Sequence, residues 1–194
     1  MEHNFRPQGY TVGVEEELMI LDGQTLDLVN AIEKMLGNPR QGEVKPELME
    51  SVLEISTDPC ATVGEAAAQL RDLRHEVARR AQGMGYAIGA AGTHPFAKWE
   101  DQRIAKRPRY RDLISALRFV ARQELIFGMH VHVGIDDPET AIAVSNGMRL
   151  YCPILLAVSA NSPYWRGDDT GLASTRMPIF RAFPRVGIPP HYRD

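Results

Sequence analysis

Three consecutive carboxylates, Glu15, Glu16 and Glu17, lie inside a run of strand-forming residues from Thr11 to Leu21. Side chains alternate across a strand, so Glu15 and Glu17 share one face while Glu16 points to the other. Two like charges about 7 Å apart on one sheet face repel each other. Either a bound cation relieves them, or water does, as at a charged edge strand.

A fourth acid, Glu54, stands in the apolar context Val52-Leu-Glu-Ile55, where a carboxylate without a partner is costly. Leu125 to Ile135 reads as a second strand, with His130 and His132 on one face and Met129, Val131 and Val133 on the other. A His-x-His pair on a strand is a metal-binding arrangement and equally a pair of half-buried, hydrogen-bonded imidazoles. Taken together, Glu15, Glu17, Glu54 and one imidazole form a donor set dominated by hard oxygens. Such a set suits Mg²⁺ or Mn²⁺ better than Zn²⁺.

Other signatures are missing. There is no Gly-x-x-x-x-Gly-Lys-Ser/Thr loop, and Gly83-Met-Gly-Tyr-Ala-Ile-Gly89 lacks the spacing of a dinucleotide loop. No Gly-x-Ser-x-Gly elbow occurs, and neither Cys60 nor Cys152 has a nucleophile signature. The basic stretch Arg103, Lys106, Arg107, Arg109 and Arg111 is either a solvated surface or an anion-binding loop, and Arg176 could bind a carboxylate through its guanidinium fork but on sequence context alone is equally an arginine in a loop.

The elements that must position these residues follow from periodicity. Thr25 to Leu36 reads as a short helix and Gly37 to Val44 as a loop. In Pro46 to Thr57, Glu47, Glu50 and Glu54 fall at helical spacing, although the end of the segment reads as strand. Thr62-Val-Gly-Glu65 is a capping box, followed by an apolar stripe of Ala66, Leu70, Leu73, Val77 and Ala81 and stopped by Gly83 and Gly85. Tyr86 to Ala91 reads as a buried strand, and Tyr110 to Arg122 as a helix. Asp137 caps a further helix with Pro138 at its first position, and Pro153 is expected to kink or end it. Beyond Ala160 the chain is rich in Pro and Gly and reads as loop.

Composition sets the class. A chain of 194 residues, 44% hydrophobic, can bury a sizeable core, and one domain spanning residues 1–194 is the simplest reading. A net charge of −3 without a dominant basic face disfavours nucleic acid and favours small-molecule ligands. The two separated cysteines fit a reducing compartment. The N-terminus lacks a leader pattern and no stretch is expected to be long enough to cross a bilayer, which together predict a cytoplasmic protein away from membranes.

Five motifs, Thr-Val-Gly-Val-Glu-Glu-Glu (11–17), Glu-x-x-Glu-x-x-x-Glu-Ile-x-Thr (47–57), Gly-Thr-His-Pro-Phe (92–96), Gly-Met-His-Val-His-Val-Gly (128–134) and Ser-Ala-Asn-Ser-Pro-Tyr (159–164), resemble in type and order the carboxylate-amine ligase family, the glutamate-cysteine ligase-like enzymes of type 2. The resemblance implies an α+β, glutamine synthetase-like fold, in which a curved, mostly antiparallel sheet is flanked by helices. It implies metal ligands at Glu15, Glu17, Glu54 and His130, with Glu47 as a further candidate. It also implies substrate contacts at His132, Thr93, His94 and Arg176, the last catalytic as well.

The implied reaction uses ATP and Mg²⁺ (or Mn²⁺) to join glutamate, or a similar acid, to cysteine or another amine through an acyl phosphate, in a protein expected to be a homo-oligomer. Family members continue for roughly as many residues again and gain a Glu-x-Arg strand with another ligand. The chain is therefore expected to be the N-terminal part of a longer family fold, with little turnover by itself. A divalent-metal hydrolase and a non-catalytic metal- or nucleotide-binding fragment are the alternatives from other classes.

Overall fold

The spine of the molecule is β1 (Thr11–Asp22), a 12-residue strand. The computed structural model describes residue 5 and residues 9–193. Along one edge of β1 runs the antiparallel hairpin of β2 (Glu43–Pro46) and β3 (Val52–Ser56), with β3 innermost. Two antiparallel strands share the other edge. β4 (Tyr86–Gly89) lies along Met19–Asp22, and β5 (Met129–Gly134) lies along Thr11–Glu16. The changeover falls at Glu17, whose N–H donates to the Gly128 carbonyl at 2.9 Å.

The face of the sheet that carries Glu16 is covered by helices. α1 (Ile32–Met35) is a single turn and α2 (Val63–Gln82) is the long helix. Leu18, Ile20, Leu53 and Ile55 from the sheet pack there against Leu70, Leu73, Val77 and Ala81 of α2. The stripe read from the sequence is the one that is buried. At the start of α2, the Thr62 hydroxyl accepts from the Glu65 N–H at 3.2 Å, and the Glu65 carboxylate accepts from the Ala61 N–H at 3.0 Å. Both bonds satisfy donors that a helix start otherwise leaves free. A second core gathers on the other face around Met19, Met49, Val52, Leu125 and Phe127, closed by Tyr110 of α3 (Pro108–Leu117). α3 stops at Arg118, which has φ 46°, and a one-turn α4 (Phe119–Arg122) follows.

Three expectations are corrected. Only Ile32–Met35 of the expected Thr25–Leu36 helix forms. The Asp22 carboxylate accepts from the N–H groups of Gln24 and Thr25, and the Val29 N–H donates to Ile20, so this segment returns as extended chain beside β1. The helical spacing of Glu47, Glu50 and Glu54 does not build a helix either, because the residues between Pro46 and Val52 turn the chain from β2 into β3. Sheet pairing overrides local periodicity in both places.

The third correction concerns length. α5 (Pro138–Met148) and α6 (Cys152–Ser159) join through a 3₁₀ turn at Arg149–Tyr151. They form one stretch, Pro138–Ser159, of 22 residues containing an 18-residue window of mean hydropathy 1.5, long and apolar enough by length and composition to cross a membrane. Pro153 does not end it, because it sits in the first turn of α6, where a missing N–H breaks no bond. Beyond it the Pro/Gly-rich chain forms loops, a short hairpin of β6 (Tyr164–Trp165) and β7 (Asp168–Asp169), and α7 (Arg176–Phe180).

Candidate metal centre

Cross-strand register assembles the site from β1, β3 and β5. Glu17 stands directly opposite Glu54, and one row along the same face Glu15 stands opposite His130, with Gly13 opposite His132 beyond. The turn after β2 brings Glu47 to the same place. Carboxylate oxygens of Glu17, Glu47 and Glu54 all lie within 4.8 Å of one another, and all three residues are half-buried. Glu47, the less favoured of the acids in its segment, thus joins the trio, while Glu15 turns toward the histidines. Its Oε2 is 3.0 Å from His132 Nε2 and 3.6 Å from His130 Nδ1.

The electrostatics separate these acids. Burial, followed by repulsion from Glu47, pushes the Glu17 carboxyl up to about 7, against which the Gly128 N–H, donating at 2.6 Å, and Arg176 pull down. Burial, then Glu15 and Glu47, pushes Glu54 up to about 7 as well, with Lys45 opposing. Glu15 is shifted down, chiefly by its hydrogen bond to His132. Two half-buried carboxyls, Glu17 and Glu54, that hold their protons to near-neutral pH beside a third acid mark an excess of negative charge for these surroundings. Hard, closely grouped oxygens of this kind fit Mg²⁺ or Mn²⁺.

Gly128 keeps the centre open. A Cβ placed there would lie 3.1 Å from both Arg176 Nη2 and His130 Nε2 and 3.4 Å from Glu17 Oε2, so these three groups converge on the space that a side chain would fill. Arg176 is held in plane by its Nε–H, which donates to the Phe127 carbonyl at 2.8 Å. A cavity of about 240 Å³ is lined by Glu17, Glu47, His130, Arg176 and Glu124, with Leu48, Met49, Val52 and Phe180 among its apolar walls. A larger hollow of about 1000 Å³ runs along the outer, polar side of α2 past Arg40, Asp72, Glu76 and Arg79. Its charges are mixed and include none of the converging acids, which line the smaller cavity instead.

Glutamate-cysteine ligase family 2 matches residues 11–194. The chain belongs to this family. It is 47% identical over its whole length to a provisionally named glutamate–cysteine ligase 2-1 of Rubrobacter xylanophilus, of which it covers 52%. It is 44% identical to a similarly named protein of Solibacter usitatus, with 95% of this chain and 49% of that protein aligned. The chain thus spans about half the length of these curated relatives.

Among solved structures, a glutamate–cysteine ligase of Francisella tularensis in complex with AMP superposes with a TM-score of 0.61 at 16% identity, over 90% of this chain and 43% of that one. A bifunctional glutathione synthetase of Pasteurella multocida gives 0.62 at 20% identity, over 84% of this chain and 25% of that one. The fold of this family member is accordingly the α+β, glutamine synthetase-like one that its motifs suggested.

Two of the motif residues have their polar atoms engaged within the chain. Thr93 and His94, expected to touch substrate, are buried with their polar atoms used inside the chain. The Thr93 hydroxyl donates to the Tyr164 carbonyl at 2.9 Å. His94 has Nε2 2.9 Å from the Leu26 carbonyl, while its Nδ1 accepts from the Ala97 N–H at 3.0 Å. Asn161 is used likewise, its Oδ1 accepting from the Gly92 N–H at 2.9 Å. These bonds fix the loop after β4 beside the site.

Part of the basic stretch is committed to ion pairs. Arg103 binds Glu50 at 2.8 Å and Arg107 binds Glu33 at 2.9 Å. One acid went unnoticed in the sequence. Glu124 lines the cavity with its Oε1 buried and without a hydrogen-bond partner among the described residues, and burial pushes its carboxyl up to about 7. The available signal was an acid abutting the apolar run Leu125-Ile-Phe127.

Proposed function

We propose that this chain carries the metal- and phosphate-handling part of an ATP-dependent carboxylate-amine ligase, one that joins glutamate or a similar acid to cysteine or another amine. The observation that supports it most is the carboxylate trio on the face of this family's sheet. Glu17, Glu47 and Glu54 would hold Mg²⁺ or Mn²⁺, which when bound neutralises charge on the ATP phosphates. Glu15 and His130, one register row away on the same face, would supply further donors to an ion held there.

Arg176 works from the opposite side of the Gly128 opening. Its Nε is committed to Phe127, and its outer nitrogens remain to receive a substrate carboxylate or a phosphoryl oxygen. In the reaction, the γ-phosphoryl group passes to the acid's carboxylate, leaving ADP. The amine lone pair then attacks the acyl carbon and phosphate departs. Arg176 stabilises the negative charge that builds on oxygen in both steps. His132, tied to Glu15, is placed on the same face to orient the incoming substrate. The hydrophobic walls from Leu48, Met49, Val52 and Phe180 limit water at the acyl phosphate, whose hydrolysis would waste ATP.

The test is calorimetric titration of ATP with Mg²⁺, Mn²⁺ or Zn²⁺, paired with an ADP-release assay using glutamate and a panel of amines. ATP binding should require Mg²⁺ or Mn²⁺. Unchanged ATP binding after chelation would remove the metal reading, and preferential Zn²⁺ binding without nucleotide would replace the ligase with a hydrolase.

A further inference from the structure

Glu124 is used neither by the carboxylate trio nor by the framework. It lies between α4 and β5, where its N–H donates to the Ala121 carbonyl at 3.4 Å. Ala121 and Leu125 on either side are fully buried and Ile126 bridges to Thr93, so the backbone that carries Glu124 is anchored. Its side chain lines the cavity of about 240 Å³, and its Oε1 is buried without a hydrogen-bond partner among the described residues.

The other polar side chains of that cavity are engaged. Glu17 accepts from the Gly128 N–H at 2.6 Å and Glu47 from the Leu48 N–H at 2.9 Å. The Tyr110 hydroxyl donates to the Pro46 carbonyl at 2.8 Å, His130 faces Glu15, and Arg176 donates to Phe127. Glu124 stands outside the group of converging acids. Arg176 acts on it electrostatically, opposing the upward pull of burial, yet makes no hydrogen bond to its Oε1.

A buried acceptor without a donor costs roughly 1–3 kcal/mol, and a donor that carries positive charge offsets that cost best. A divalent ion wants several oxygens, which the trio offers and Glu124 alone does not. The walls beside Glu124 are apolar, from Leu113, Ile126, Phe180 and Phe183, and the two phenylalanine rings are stacked with centroids 6.4 Å apart. A single carboxylate at the edge of hydrocarbon matches a molecule with an ammonium at one end and an apolar body. Such a cation would also bring the Glu124 carboxyl, raised to about 7 by burial, back toward its ordinary range.

We propose that Glu124 is the seat of the amine substrate, its Oε1 accepting an N–H of a primary ammonium whose apolar body lies against Leu113, Ile126 and Phe180. The role of that amine rests on the ligase reading above, whereas the seat rests on the cavity alone.

The test is calorimetric titration of the chain with propylammonium chloride and with 1-propanol, in the absence of ATP. Propylammonium should bind about tenfold more tightly than 1-propanol, as a charge-assisted bond to a buried partner implies. Glu124→Gln should remove that preference. Glu54→Gln, which alters the trio outside this cavity, should keep it. In the unaltered chain, methyl NMR should show nuclear Overhauser contacts from the propyl group to Leu113 and Ile126. An unchanged preference in Glu124→Gln would overturn the proposal, as would its loss in Glu54→Gln or the absence of those methyl contacts. So would a large fall in Mn²⁺ affinity in Glu124→Gln, which would make Glu124 a ligand of the ion instead. ATP binding with and without metal is read separately. Its failure would remove the ligase reading and leave the ammonium seat standing, and loss of the seat would leave ATP binding as it was.

Discussion

Glu16 and Glu17 are neighbours in sequence on opposite faces of β1, and they are neutralised in different ways. Glu16 is buried against α2, where Arg74 grips it with two bonds, Nε to Oε2 at 2.6 Å and Nη2 to Oε1 at 2.5 Å. Glu17 faces Glu54 and Glu47, and its protein partners, the Gly128 N–H and the nearby Arg176, do not offset burial and repulsion. A buried carboxylate with its own guanidinium is part of the framework. Carboxylates that converge without enough positive charge form a candidate seat for a cation from outside.

The comparison is broken most directly by paired substitutions. Glu17→Gln or Glu54→Gln should weaken Mn²⁺ binding by about 100-fold, measured by electron paramagnetic resonance titration. Either should leave the metal-free protein as stable as before or slightly more so, since a repulsion is removed. Glu16→Gln should do the reverse. It should lower stability by roughly 1–3 kcal/mol in urea unfolding, because Arg74 loses a charged partner that is itself buried, and should change Mn²⁺ affinity little. If Glu16→Gln abolished metal binding while Glu17→Gln kept it, the assignment of faces would be wrong.

A smaller effect separates the two faces by pH. Glu17 and Glu54 titrate near 7 in the folded chain and near 4.5 when unperturbed, so between those values the folded state binds more protons than the unfolded one. Stability of the metal-free protein should therefore fall as pH rises from about 4.5 to about 7 and level off above. After solvent screening the fall is on the order of 1–2 kcal/mol. Glu15, shifted downward, contributes in the opposite sense, at pH below its ordinary value. Saturating Mn²⁺ should flatten or reverse the slope, and a slope unaffected by metal would separate the trio from the ion. The smallest expected change is at the helix start. Thr62→Ala should cost about 1 kcal/mol and leave metal binding unchanged, as thermal unfolding and the same titration would show.

Much of this arrangement is local and was therefore readable. Alternation along β1 and β5 puts Glu15 and Glu17 on one face and His130 and His132 on one face, because period two is a property of the strand itself. The Thr62 cap and the Ala66 to Ala81 stripe specify α2 in the same way. Mean composition, by contrast, concealed Pro138–Ser159, since a proline was read as an interruption when its position in the first turn of α6 makes it compatible with helix.

What pairing and packing decide could not be read from one segment at a time. Glu47 enters the trio only because β2 and β3 close a turn there, which no helical spacing foretells. The bonds of Thr93 to Tyr164, 71 residues later, and of His94 to Leu26, 68 residues earlier, likewise join segments far apart in the chain. Glu124 gains its buried, unpartnered oxygen from the walls around it. The sequence by itself determined which residue types offer hard oxygen or imidazole donors and, along β1 and β5, which strand face each occupies, because those follow from side-chain chemistry and backbone period. Only the tertiary structure decided which acids meet and which already have a counter-charge, because both depend on contacts between segments far apart in the chain, where burial sets the cost of every unpaired charge.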